Sequence, residues 1–146
     1  MKVVLQRVDS ASVHVAGETV GKIGKGLLLL IGVAETDTKK DIEFVADKCV
    51  NLRIFQDENG KMNKSLIDVG GAILAVSQFT LLGDTKKGRR PSFVQAASAA
   101  KGEEYYNYFI ECVEQYDIPV ETGVFGAMME VELINSGPVT LIIESK

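Results

Sequence analysis

The chain has no tryptophan, one histidine, two cysteines and three prolines in 146 residues. Each scarcity removes part of the chemical menu. One histidine rules out a multi-histidine zinc site, and Cys49 and Cys112 lack the spacing of a thiolate ligand set, so neither metal nor cofactor is expected. A Ser-His-Asp triad would have to use His14, which lies in an early strand between Val13 and Val15. Both cysteines fall on apolar faces of predicted helices and read as reduced core thiols, not as a disulfide or redox pair. No apolar run reaches the length of a membrane span; the longest, Leu27 to Ile31, has strand length. The opening Met1-Lys2-Val3-Val4-Leu5-Gln6-Arg7 enters alternation at once and lacks a signal-peptide layout. A cytoplasmic protein with no membrane partner is the expectation.

What is present is the composition of an ordinary globular protein, with 46% hydrophobic and 25% charged residues. The length suits one domain, residues 1–146, with a real core. A net charge of −4 argues against non-specific nucleic-acid binding by the chain as a whole. Locally, Lys86-Lys87-Gly88-Arg89-Arg90 places four of the 16 basic residues in five positions. That cluster is either a phosphate-contacting loop or a solvated one.

Alternation predicts strands over 2–9, Ser10–Val15 and Thr19–Ile23, with turns between them. Leu27–Val33 is nearly continuous in apolar residues and should be buried on both faces. Asp37 or Thr38 can cap a helix carrying Ile42, Val45, Ala46, Cys49 and Val50 on one stripe. Leu52–Phe55 and Lys61–Asn63 flank the hairpin turn Asp57-Glu58-Asn59-Gly60, and a short irregular or one-turn segment is expected over 64–68. Residues 72–78 form a central strand. A helical region is expected from Pro91-Ser92, with Phe93, Ala96, Ala97 and Ala100 inward, interrupted at Gly102. A better helix follows over Glu103–Tyr116, its stripe being Tyr105, Tyr108, Phe109, Cys112, Val113 and Tyr116. Val120–Phe125, Met128–Asn135 and Val139–Glu144 close the chain as strands. The expected fold is α+β: an antiparallel-rich sheet curling towards a partial barrel, two main helices on one side, and uncovered edges that suggest a homodimer.

Two stretches carry chemistry. Ser77, Gln78, Phe79 and Thr80 stand where an apolar strand runs out, so hydroxyls, an amide and backbone N–H groups converge there. Such a site can hold a carbonyl and stabilise an oxyanion; alternatively, Ser77 and Thr80 only satisfy backbone groups at a turn. The second stretch is Asn135-Ser136-Gly137-Pro138-Val139-Thr140. Gly137-Pro138 between two strands is either a plain hairpin with a trans bond or a cis bond that aims two carbonyls into a pocket.

Together these two stretches closely resemble the D-aminoacyl-tRNA deacylase (D-tyrosyl-tRNA deacylase) family. Further matches are Gln6-Arg7-Val8, Asn51-Leu52-Arg53-Ile54-Phe55, Lys61-Met62-Asn63, Gly83 to Phe93, and Thr122-Gly123-Val124-Phe125-Gly126-Ala127-Met128-Met129, so the resemblance covers essentially the whole chain. It implies a homodimer that hydrolyses the ester between a D-amino acid and the 3′ end of tRNA. It implies that Ser77-Gln78-Phe79-Thr80 lines the pocket, with the N–H groups of Phe79 and Thr80 on the developing oxyanion. Gly137-Pro138 would reach into the partner subunit's pocket, take up the substrate amino group and leave no room for an L side chain. Arg7 would brace that loop, Phe125 and Met129 would cradle the terminal adenine, and Lys86, Lys87, Arg89 and Arg90 would hold acceptor-stem phosphates. Ser136 departs from the family, where aspartate is more usual.

With no second histidine and no obvious acid pair, the tRNA 2′-hydroxyl is the favoured helper, ahead of Thr80 as a nucleophile. A steric filter of this kind would also admit glycyl-tRNA. Two other classes stay open: a non-catalytic nucleic-acid-binding module using loop 86–90, and a small hydrolase of a non-RNA ester with Ser77 or Thr80 as nucleophile.

Overall fold

The computed structural model describes residues 1–145. Its sheet is built on β1 (Lys2–Val15), a single strand where alternation predicted two. Val3 and Leu5 belong to one core cluster and Val8, Ala11 and Val13 to another. The register against β8 (Glu130–Glu144) shifts between Val8 and Ser10. A shift of one residue reverses which face each side chain takes. The hydrophobic phase therefore breaks at Asp9 while the strand continues.

β1 pairs antiparallel with β2 (Glu18–Ile23), with β3 (Gly26–Gly32) and, along most of its length, with β8. β3 lies parallel to β6 (Ala72–Ser77), and β6 parallel to β7 (Val120–Thr122), giving the order β2-β1-β3-β6-β7 with β8 on β1. The sheet is thus mixed, with three antiparallel and two parallel pairings. Parallel neighbours need long crossovers, and helices supply them here. The sheet curls until β2 meets β7: a Cβ on Gly21 would lie 2.4 Å from the Thr122 carbonyl oxygen.

α1 (Lys39–Asn51) and α3 (Ala99–Glu114) lie on the same side and share one core with Val3, Leu5, Leu27, Leu29, Ile31, Ile73 and Ala75. Leu28, Leu74 and Val76 point the other way, into the curl. Both faces of β3 are buried, as its continuous apolar run predicts. Thr38, not Asp37, caps α1: the Asp41 carboxylate accepts from the Thr38 N–H (2.8 Å) and hydroxyl (3.0 Å). Asp37 instead accepts from the Met1 α-amine and the Ala34 N–H. β4 (Phe55–Gln56) and β5 (Met62–Lys64) form a hairpin, but residues 52–54, expected in its first strand, lie outside it; α2 (Leu66–Val69) is a single helical turn. At the hairpin turn only Gly60 takes positive φ, at 76°; Asn59 does not. No described helix is long and apolar enough to cross a membrane.

Four further expectations fail. Residues 91–98 are not helical: Ser92 bridges to Asp84 and Ala96 to Ala34, and the helix starts only after Ser98, whose hydroxyl accepts from Lys101 N–H. Gly102 does not interrupt α3; it lies within it, its N–H on the Ser98 carbonyl at 2.7 Å. The alanine-rich pattern mimicked a helical stripe, but Glu35 accepts from Ser98 N–H through its side chain and donates its own N–H to Gln95, holding the segment open. On α3 the buried tyrosine is Tyr106, while Tyr105 and Tyr108 are half-buried; Tyr116, expected on the same stripe, lies beyond the helix end and is exposed.

The fourth concerns the C-terminal strands. Residues 130–144 form one strand, not two joined by a hairpin. Val8 pairs with Asn135 and Gln6 with Thr140, so Ser136 to Val139 stand opposite the single residue Arg7. Gly137-Pro138 lies in this outward bulge, and its peptide bond is cis.

Candidate active site

A cavity of about 820 Å³ opens where β6 ends. Ile31, Val33, Val76, Ser77, Gln78 and Phe79 form one wall, residues 97–99 and Gly102 a second, and residues 125–131 a third. Its lining is mostly apolar, with a few polar groups at the β6 end, the usual make-up of a small-ligand site.

At that end the chain turns sharply. Gln78 N–H extends the strand by donating to the Ile31 carbonyl at 2.7 Å. Residues Phe79–Leu82 then form a 3-10 turn, closed by Leu81 N–H on the Gln78 carbonyl (3.2 Å) and Gly83 N–H on that of Thr80 (3.0 Å). The first donors of such a turn have no carbonyl behind them to bond. Those donors are the N–H groups of Phe79 and Thr80, and among the described residues no carbonyl accepts from either. The Thr80 hydroxyl accepts from Gln78 Nε2 at 2.5 Å and is hydrogen-bonded to no carboxylate or imidazole among the described residues. Ser77, Gln78 and Phe79 line the cavity; the Thr80 side chain does not. His14 is engaged elsewhere, its ring nitrogens paired with the hydroxyls of Ser12 (3.0 Å) and Thr19 (3.1 Å).

Phe79 meets Phe93 edge to face, ring centroids 5.3 Å apart at 68°. Phe93 follows the basic loop, whose ends are tied by Asp84 N–H on Ser92 (2.7 Å) and Ser92 N–H on Asp84 (2.9 Å). Lys86, Lys87, Arg89 and Arg90 are exposed and form no ion pair among the described residues. They stand outside the cavity, tied to its rim through Phe93.

Phe125 and Met129 both line the cavity. Phe125 leans on Tyr106, centroids 6.0 Å apart, and on the face that Gly102 leaves bare; a Cβ there would lie 3.5 Å from the ring. Gly123 makes room for Met129 Sδ, which a Cβ would approach to 2.6 Å. Tyr106 donates to the Ala75 carbonyl at 2.7 Å, and burial pushes its hydroxyl up to about 12. The sequence reading missed the small-residue wall at 97–99 and 102, as well as Met128 and Glu130. The one signal for it was a glycine tolerated inside a helix, which often marks close packing. Cys49 is buried, and desolvation pushes its thiol up to about 12, consistent with an inert core residue.

Gly137 and Pro138 are not part of their own chain's cavity. Arg7, almost fully buried, reaches their bulge: Nε donates to the Ser136 carbonyl at 3.1 Å and Nη1 to the Ile54 carbonyl at 2.6 Å. Asn135 Nδ2 spans the base of the bulge, donating to the carbonyls of Arg7 (2.9 Å) and Val139 (3.2 Å). Arg7 therefore uses the backbone of residue 136, a group that serine and aspartate share.

A curled α+β domain with unpaired N–H donors at the head of a turn beside a largely apolar cavity has the parts that an ester-cleaving site uses. A family model described as D-Tyr-tRNA(Tyr) deacylase matches residues 4–144. The curated D-aminoacyl-tRNA deacylase of Anoxybacillus flavithermus is 61% identical over 146 residues, covering 100% of both chains. That of Desulfatibacillum aliphaticivorans is 60% identical, again over 100% of both. The chain belongs to the D-tyrosyl-tRNA deacylase family, and it is a hydrolase of that class. Among solved structures it resembles one titled c-Myc DNA Unwinding Element Binding Protein (TM-score 0.93, 43% identity, 100% and 99% covered). The fold is shared with a probable eukaryotic D-amino acid tRNA deacylase (TM-score 0.86, 20% identity, 98% of each chain covered).

Proposed function

We propose that the protein removes D-amino acids from tRNA as a chiral proofreader, working as a homodimer. The observation that carries this reading is the pair of unpaired N–H groups, Phe79 and Thr80, at the head of the turn beside the cavity. Water attacks the ester carbonyl carbon, and the developing oxyanion accepts hydrogen bonds from this pair. Each such donor is worth about 3 to 4 kcal/mol in the transition state. The intermediate collapses by expelling the 3′-oxygen, which takes a proton, leaving free tRNA and a D-amino acid. The neighbouring 2′-hydroxyl relays the proton, so the protein's task is positioning and charge stabilisation. The Thr80 hydroxyl, paired only with an amide, has no base to make it a nucleophile.

Gly137 and Pro138 of one subunit enter the cavity of the other, receive the substrate amino group on their carbonyls and exclude an L side chain. Two observations support this. The pair does not line its own cavity, and β8 is an edge strand with Ile134 and Ile142 exposed at 60% and 68%. Glycyl esters have no side chain to exclude and are cleaved as well. Phe125 and Met129 cradle the terminal adenine, and Lys86, Lys87, Arg89 and Arg90 contact acceptor-stem phosphates. The protein acts in the cytoplasm.

The test is release of amino acid from matched D- and L-tyrosyl-tRNA. Loss of the D ester with the L ester intact is expected. Equal cleavage removes the chiral filter. Binding of tRNA without release from either ester favours a nucleic-acid-binding module.

A further inference from the structure

Gly32 ends β3, directly beneath the turn at Phe79–Leu82. Its backbone does not adopt positive φ, so conformational freedom is not why a glycine stands here. Space is. A Cβ built on Gly32 would lie 2.6 Å from Leu82 Cδ2, 3.0 Å from the Gln78 carbonyl oxygen and 3.1 Å from Leu81 Cβ. The adjacent Ile31 carbonyl receives Gln78 N–H at 2.7 Å. The turn is therefore pinned by a hydrogen bond on one residue and seated by a missing side chain on the next.

The contact with Gln78 matters most, because of covalent geometry. The Gln78 carbonyl and the Phe79 N–H belong to one planar peptide unit, and a force on the oxygen tilts the N–H with it. We infer that Gly32 is a positioning residue for hydrolysis: by letting the Gln78 carbonyl settle against β3, it aims the Phe79 N–H at the reacting oxygen. This rests on the oxyanion reading of Phe79 and Thr80 given above. Oxyanion donors act only when held to within a few tenths of an ångström of the required place. A methyl group at residue 32 therefore affects the transition state more than substrate binding.

The experiment compares Gly32→Ala with Gly24→Ala, a glycine with nothing within 4 Å of a built Cβ. Both are made in the full chain. D-tyrosyl-tRNA hydrolysis is measured together with the Phe79 amide resonance. Gly32→Ala is expected to lower kcat by more than about tenfold, with KM within about threefold, and to shift the Phe79 amide. Gly24→Ala should match the parent in all three. Unchanged kcat with an unmoved amide overturns the role of Gly32. Unchanged kcat with a clearly moved amide upholds the seat but sinks the oxyanion reading.

If Gly32→Ala folds poorly, Gly32→Ala/Leu82→Ala removes the Cδ2 clash and keeps the carbonyl contact. Restored stability with kcat still low supports the inference. Recovery of kcat along with stability overturns it, since Leu82 packing would then be the whole effect.

Discussion

Arg7 Nε donates to the Ser136 carbonyl at 3.1 Å, fastening the Gly137-Pro138 bulge of β8 to the middle of β1. The same guanidinium donates from Nη1 to the Ile54 carbonyl, so one buried cation joins three segments that are distant in sequence. Arginine suits this role because its planar fork directs several donors at once. Arg7→Met keeps much of the volume and removes both bonds. Charge-assisted hydrogen bonds contribute about 1.5 to 3 kcal/mol each, so a loss of about 3 kcal/mol in unfolding free energy is expected. If the bulge performs chiral exclusion, the variant also gains measurable L-tyrosyl-tRNA cleavage. Denaturant titration checks the first outcome and matched D and L esters the second. A destabilised variant with intact chirality would separate the brace from the filter.

Thr80 offers a sharper test of mechanism. Its hydroxyl accepts from Gln78 Nε2 and is not part of the cavity wall. Thr80→Ala retains the backbone N–H and loses only the hydroxyl. Less than about a tenfold fall in kcat is expected. Removal of a true nucleophile costs about 10⁴-fold or more. In parallel, replacing the 2′-hydroxyl of the terminal adenosine by hydrogen should cost far more than Thr80→Ala. The reverse ranking would assign the chemistry to Thr80.

How much of the fold and site was legible in the sequence depended on how local the cause was. The double burial of β3 follows from its continuous apolar run, and the placement of Ser77–Thr80 where β6 runs out follows from polar residues closing an apolar run. The Asp9 irregularity was read as a break between two strands because it changes which layer a side chain faces, whereas the backbone ladder runs through it. The 91–98 segment was misread because alanine spacing imitates a helix, while Glu35, far away in sequence, decides the outcome. The bulge opposite Arg7 depends on register, which no single-strand pattern encodes. The same holds for Gly32, whose importance is visible only once β3 and the turn are in contact.

Tyr106 should shape the alkaline limb of stability. Its hydroxyl donates to the Ala75 carbonyl, and burial raises it from 10.0 to about 12. A buried acid with a raised folded value keeps its proton where the unfolded chain releases it. Its contribution is therefore fully present below about pH 10 and is lost as pH rises towards about 12. The loss over that window is about 2 to 3 kcal/mol. Tyr106→Phe should lower stability by about 1 kcal/mol at pH 7, because the Ala75 carbonyl loses the shorter of its two hydrogen bonds and keeps only Gly123 N–H at 3.3 Å. The same variant should fall less steeply than the parent above pH 10. Chemical denaturation from pH 8 to 12 measures both, and parallel curves would show that Tyr106 does not carry the titration.

The basic loop gives the last prediction, and its architecture makes the test clean. Lys86, Lys87, Arg89 and Arg90 are exposed and without ion partners among the described residues, while the loop ends are held by the paired Asp84–Ser92 bonds. Reversing Lys86 and Arg89 to glutamate should therefore leave the fold and the Phe79–Phe93 contact in place. If these side chains meet phosphates, KM for aminoacyl-tRNA rises, while kcat at saturation stays near the parent value. The more specific readout is salt. Each phosphate that a side chain no longer neutralises reduces the slope of log binding constant against log salt by about 0.9 on duplex nucleic acid, so the double variant should lose about 1.8. A weaker affinity with an unchanged slope would point to a distorted rim. An unchanged affinity would identify the cluster as a solvated loop and move the search for the acceptor-stem contact to another face.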